Sequence, residues 1–315
     1  MLKIGTLTAD PGEKISGKLK VVNSEVEIPI TLICGAEEGE TALICGGVHN
    51  AEYVGIQAAM EIADELDPAE ISGNIVIVRL ANPTGFEHRT MSLVYEDGKN
   101  LNRVFPGSAL GTLADKIAYT FENEIYPHID YFMDLHCGDG YEGLHPYVYC
   151  LGNASDRVCE VSRKMAEAVD VDYLVVSPVA KGGAYNYAGT LGIPAILLER
   201  GSRAIWSSEE VSEDKEDVRN VLRTLGILAG ETNHCFDAPK EVKSVIYDDA
   251  PAAGCWYPNF KPGELFKKDD VLGVIRDYFG NELHTCRAKE DGVILYETVS
   301  LNIMKDGPMV AYGVL

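Results

Sequence analysis

Nowhere does the 315-residue chain carry a run of about 18 uninterrupted apolar residues, and its opening stretch MLKIGTLTADPGEKISG has no apolar core after the early lysine. A membrane-spanning helix and an export signal are therefore not expected, and the reading is of a soluble, cytoplasmic protein. Bases are scarce: 27 Lys and Arg face 49 Asp and Glu, a net charge of −22. Such a surface repels phosphate backbones and anionic lipid, which argues against nucleic-acid or membrane-surface binding. The eight cysteines (Cys34, Cys45, Cys137, Cys150, Cys159, Cys235, Cys255, Cys286) form no C-x-x-C pair and no dense pattern. That excludes a disulfide framework or Cys-based zinc site as the first reading and suggests reduced, mostly buried thiols. A G-x-S-x-G elbow and a phosphate-binding G-x-x-x-x-G-K-[ST] loop are also missing. One G-x-G-x-x-G match, at Gly138, Gly140 and Gly143, is followed by LHPYVYC where a dinucleotide site needs a helix, so it reads as a chance loop match.

What is present is an ordinary globular composition, 46% apolar and 24% charged. Strand-like runs at Glu27–Cys34, Thr41–Gly46 and Asn74–Leu80 enclose a helix whose Ile56, Ala59, Ile62 and Leu66 share one face and which Asp67-Pro68 ends. Alternation continues with a helix at Gly111–Tyr126, a strand at Asp130–Leu135, a strand at Tyr147–Cys150, a helix at Ala154–Val169 and a strand at Tyr173–Val176. IPAILLE, residues 193–199, is apolar enough for a sheet buried on both faces. Ser207–Gly226 reads as a Ser-capped helix whose first-turn acids suit its positive end. The expected fold is α/β, a mostly parallel mixed sheet flanked by helices, over residues 1–235. From residue 236 to 315 helical periodicity stops and turns such as KPGE, YFGNE and KEDG punctuate short strands, which suggests a small all-β unit.

Four segments carry residues suited to chemistry. In ICGGVHNAE a strand runs through two glycines to His49, with Glu52 three residues on, so imidazole and carboxylate share one side of a first helical turn. In MDLHCGDG, His136 lies just past an apolar strand, at the edge where ligands collect in open α/β sheets. Two His and one Glu make the ligand set of a catalytic zinc with an open fourth position, although two ordinary loop histidines fit these facts equally. The long polar segment Asn82 to Gly107 carries Arg89 and Arg103, whose forks suit a carboxylate or a developing oxyanion. Glu199 ends the apolar strand before Arg200-Gly201, placed as a partly desolvated general base, with a simple pair to Arg200 or Arg203 as the structural alternative. Asp134, two residues before His136 on the same strand face, either orients that imidazole or serves as a cap or salt bridge.

The ordered set H-x-x-E (His49, Glu52), R-x(12)-N-R (Arg89, Asn102, Arg103, within NLNRVFPG), D-L-H (His136) and E-x-G (Glu199, Gly201) resembles the zinc carboxypeptidase fold. More narrowly it resembles the succinylglutamate desuccinylase/aspartoacylase family, over roughly residues 25–230, and the β-rich tail fits the extra C-terminal domain of that branch. The resemblance implies that His49, Glu52 and His136 bind one Zn2+ per chain and that Glu199 is general base and acid. It further implies that Arg89 polarises the scissile carbonyl while Asn102 and Arg103 grip a substrate carboxylate. Asn50 departs from the family's H-G-x-E, where a small glycine is common. The family's assisting tyrosine is not placed by motif: Tyr185, Tyr187 and a tail tyrosine all qualify. His88, His128, His145, His234 and His284 have no matching partners and read as structural.

The tail has the rhythm of a barrel-sandwich hybrid, similar to biotinyl or lipoyl carrier domains. Yet Tyr278-Phe279-Gly280-Asn281 stands where a carrier presents its modified lysine, so it is read as a cover for the cleft, with stabilisation or subunit contact as the alternative. The expected activity is a zinc-dependent amidohydrolase that deacylates a small N-acyl amino acid or related acyl-amine. Alternatives are a metallocarboxypeptidase acting on peptides and a catalytically silent ligand-binding protein. Acyl group, amine, native metal (Zn, Co, Mn or Ni) and any homo-oligomer stay open at this level.

Overall fold

The computed structural model describes residues 1–233 and 237–315. His234, Cys235 and the expected boundary at 235/236 lie outside the described residues. A hairpin of β1 (Leu2–Ile4) and β2 (Leu7–Ala9) precedes a nine-stranded mixed sheet. Its strands are β3 (Lys14–Lys20), β4 (Glu27–Cys34), β5 (Glu37–Gly46), β6 (Ser72–Val78), β7 (Tyr131–His136), β9 (Tyr147–Gly152), β10 (Tyr173–Pro178), β11 (Ala195–Glu199) and β12 (Lys240–Glu241). The order is β12-β10-β9-β11-β7-β5-β6-β4-β3. β6, β5, β7 and β11 run parallel through the centre, and β9, β10 and β12 run parallel to one another on the far side of an antiparallel β11–β9 pairing. The edge strand β3 turns Lys14, Lys18 and Lys20 to solvent, charges that discourage edge-to-edge pairing.

Both faces of the sheet are covered. In β5, Leu43 and Cys45 pack toward Phe105, Phe121 and Tyr126, while Ala42 and Ile44 pack toward Val54, Ile62 and Leu222 on the other side. This period-two split of the apolar second half of the strand is what a doubly covered sheet requires. Among the described residues six α-helices flank it: α1 (Tyr53–Glu65), α2 (Pro83–His88), α3 (Leu113–Thr120), α4 (Asp156–Ala166), α5 (Ala184–Thr190) and α6 (Ser208–Thr224). α1 lies so close to β7 that a Cβ at Gly55 would stand 2.8 Å from Leu135 Cβ, and only glycine admits this approach.

The segment expected as one helix over Gly111–Tyr126 is α3 continued by a π-helical turn at Phe121–Ile125, and Pro127 follows in a 3₁₀ turn. The residues LHPYVYC after the glycine-rich match enter β9, not a helix. The remaining strands are β8 (Glu142–Leu144), β13 (Ser244–Asp249), β14 (Gly254–Pro258), β15 (Leu265–Phe266), β16 (Val271–Arg276), β17 (Glu282–Arg287), β18 (Gly292–Thr298), β19 (Asn302–Ile303) and β20 (Pro308–Val314). They form two antiparallel sheets, β13-β20-β18-β15 with β8 joined to β18, and β17-β16-β14-β19, around Trp256, Phe266, Ile275 and Tyr312. Among the described residues no helix is long and apolar enough to cross a membrane, and no disulfide forms.

Candidate metal centre and active site

Two parallel neighbours deliver the centre. His136 ends β7, and in register beside it Glu199 ends β11. β5 ends at Gly46, next to Leu135, and its continuation carries His49 and Glu52 to the start of α1. The strand ends thus bring together four side chains from three distant segments, at the edge where open α/β sheets hold ligands.

Glu52 stands between the imidazoles: His49 Nδ1 lies 2.7 Å from Oε1 and His136 Nδ1 2.8 Å from Oε2. The rings meet edge to face, 4.9 Å between centroids. Each ring's far nitrogen faces an oxygen, hydrogen-bonded at His49 and in charge contact only at His136. His49 Nε2 donates to Asn100 Oδ1 at 3.0 Å, and His136 Nε2 lies 3.2 Å from Asp134 Oδ1. Protons bridge each Nδ1 to Glu52 here, and a cation would take their place, with Nε2 turned away to an outer oxygen as in an oriented ligand histidine. One ligand atom from each of His49, Glu52 and His136 fits within 4.8 Å of the others, a donor set suited to one cation. Among the described residues no other His, Cys, Asp or Glu group does so.

Electrostatics bind the group together. Burial pushes the Glu52 carboxyl up, yet His136 and His49 outweigh it and hold it at about 2. Burial pulls the His136 imidazolium down, but the charges of Asp134 and Glu52 carry it well above the ordinary histidine value. Glu199 is raised well above the carboxylate range, first by burial and then by the charge of Glu52. Neither Arg200 nor Arg203 pairs with it. The Arg200 guanidinium is taken by Asp217, Glu213 and the Asp170 carbonyl, which leaves Glu199 facing the centre rather than a structural cation.

The arginine-bearing segment is not a plain loop. Asn82 caps α2, which ends at Arg89 in the left-handed conformation, φ 55°, and Arg89's exposed guanidinium has no hydrogen-bond or ion-pair partner among the described residues. Asn102 is buried, and its Oδ1 accepts from Ala184 N at 2.8 Å, fixing the start of α5. Arg103 is exposed and bonds the Asn102 carbonyl at 2.7 Å.

Of the tyrosines, Tyr187 Oη donates to Glu122 and Tyr185 Oη lies 2.6 Å from Ser177 Oγ. Tyr247, on β13, meets Tyr149 hydroxyl to hydroxyl at 2.9 Å and feels the charges of Glu199 and Arg103. Sequence reasoning passed over Asn100, although it stands in the quoted NLNR string two residues before Asn102, and no sequence signal singled out Tyr247. A cavity of about 410 Å³ lies elsewhere, among Ile129, Arg157 and Ile193, and no predicted site residue lines it.

A largely buried His–Glu–His group that could hold a metal ion thus stands at the strand ends of a mixed α/β sheet, with a raised carboxyl beside it. The pattern of the succinylglutamate desuccinylase/aspartoacylase catalytic domain matches residues 38–225, and the chain belongs to that family. It is 28% identical over 256 residues to the N-alpha-acetyl-L-2,4-diaminobutyric acid deacetylase of Halomonas elongata, covering 79% of this chain and 72% of that one. The product-bound ectoine utilization protein EutE (DoeB) of Ruegeria pomeroyi superposes with a TM-score of 0.89 at 25% identity, over 98% of both chains. A succinylglutamate desuccinylase of Silicibacter sp. TM1040 shares the fold with a TM-score of 0.84 at 24% identity, over 99% of each chain.

Proposed function

We propose that this protein is a zinc-dependent deacylase that hydrolyses the amide bond of a small N-acyl amino acid. The observation that carries the reading is the Glu52-centred pair of imidazoles with Glu199 in register beside His136. His49 Nδ1, Glu52 and His136 Nδ1 would hold the ion, with Asn100 and Asp134 fixing the two rings. When bound, zinc supplies Lewis acidity and a water acidified from about 15.7 toward about 7. Glu199 takes the water's proton and passes it to the leaving amine. A carboxyl whose proton affinity is raised toward the working pH suits both halves of that transfer. Arg89, with an unengaged guanidinium, steadies the developing oxyanion. Arg103 and the Asn102 amide nitrogen hold the substrate carboxylate, and Tyr247 is our choice for the assisting tyrosine.

With this reading we keep the division into a carboxypeptidase-like unit, residues 1–235, and a barrel-sandwich-like unit, 236–315, and a cytoplasmic location. Zinc analysis and chelator-sensitive release of amine from a panel of N-acyl amino acids test it. Glu199→Gln is expected to keep its zinc and lose about 10²–10⁴ in kcat, the range of general acid–base catalysis. Near-normal turnover in that variant removes Glu199 from the mechanism, and cleavage of peptides but not acyl amino acids makes the protein a carboxypeptidase.

A further inference from the structure

Asn50 stands where the family commonly has glycine, and the structure gives its side chain a specific task. It is buried, 1% exposed, in the turn between His49 and Glu52. Its Oδ1 accepts from Asn82 Nδ2 at 2.9 Å, and the same Asn82 amide reaches the Leu93 carbonyl at 3.2 Å while its Oδ1 accepts from Gly85 N at 3.1 Å. Backbone bonds run alongside: Asn82 N to Gly47 O at 3.0 Å and Ala51 N to Met91 O at 3.0 Å. A Cβ at Gly85 would come within 2.5 Å of Asn50 Oδ1, so α2 rests directly on this amide. The segment held in this way carries Arg89 and Met91 at φ 55° and 59°. Non-glycine residues keep such angles only where the surroundings over-determine them.

We infer that Asn50 is a positioning residue that latches the metal-ligand turn to α2 and so fixes where Arg89 presents its guanidinium. The inference rests on the role given to Arg89 above. A side chain acting through Arg89 changes how the transition state is held, not whether the metal binds. Displacing a catalytic group by about 1 Å costs up to about 10² in rate.

Asn50→Ala and Asn50→Ser, both too short to reach Asn82, are compared with wild type for kcat, KM, zinc content and amide hydrogen exchange over residues 82–93. Expected are a fall of about 10–100-fold in kcat, KM within about 3-fold, unchanged zinc and faster exchange in that segment. In an Arg89→Ala background, adding Asn50→Ala should change kcat by less than about 3-fold, because the two act as one unit. Wild-type kcat in either folded variant, losses that multiply in the double variant, or unaltered exchange overturns the latch. If the wild-type protein releases no amine from any acyl amino acid, the deacylase reading falls, and the exchange measurement alone decides the latch.

Discussion

Asp214 on α6 is 1% exposed, and neither carboxyl oxygen has a hydrogen-bond partner. Burial first, then the charge of Asp217, pushes it up to about 8, against the pull of Arg200. In the unfolded chain an aspartate titrates near 3.9. The folded protein therefore keeps a proton that the unfolded chain releases, so this residue's contribution falls as pH rises from about 4 to about 8 and stays unfavourable above. Asp217, raised to about 6, acts in the same direction and is common to both proteins compared. Asp214→Asn should thus lose less melting temperature between pH 5 and pH 9 than wild type does, and an identical loss in both would remove Asp214 as the source. At this scale the sequence was informative where chemistry repeats in motifs: His49, Glu52, His136 and Glu199 stood in three short strings, and the fold gathers them. Asn100, Asn82 and Tyr247 escaped because their partners, His49, Asn50 and Tyr149, lie about 50, 32 and 98 positions away, which no local pattern encodes.

Among elements, the join between β11 and α6 keeps Glu199 in place. Arg200, one residue beyond Glu199 and 5% exposed, donates from Nε and Nη2 to Asp217 at 3.0 and 2.6 Å, and from Nη1 to Glu213 at 2.8 Å. Removing one member of a buried pair strands the other's charge, typically at about 3–5 kcal/mol. Arg200→Met should lose roughly that in urea denaturation at neutral pH, and Arg200→Met with Asp217→Leu should recover much of it. A loss below about 1 kcal/mol in the single variant would show that the pair does not anchor the strand end. The long amphipathic helices α1, α4 and α6 were legible from spacing, the Ser207 cap and the Asp67-Pro68 stop, and the structure adds the Ser155 cap of α4. The six-residue α2 and seven-residue α5 were not, since two turns give periodicity too little length to declare itself. α3 stops short because its winding changes to π-type at Phe121, a change that apolar spacing does not register.

Over the whole molecule, the shift from helical to turn-punctuated texture is legible in the sequence, and among the described residues no α-helix follows α6, but how deeply the earlier and later strands share structure is not legible. β8, on the chain just after His136, pairs with β18, Tyr296 opposite Leu144, and β12 extends the large sheet beside β10. Val242, Val293 and Leu295 from the later part bury Tyr147 and Val175 of the earlier one. Tyr147 in turn sits opposite Glu199 across the β9–β11 pairing. These exchanges involve residues more than 50 positions apart, and strand register at that range is set by assembled sheets, not by neighbours in sequence. A chain ending at residue 239 would keep the four site side chains yet expose Tyr147, Val175 and the unpaired edge of β8. It should therefore bind a hydrophobic dye, unfold at lower urea than the full chain and lose turnover, because Tyr147 opposite Glu199 loses the side chains packed against it. A shortened protein with the full chain's urea midpoint and turnover would show that the tail serves neither the core nor the cleft.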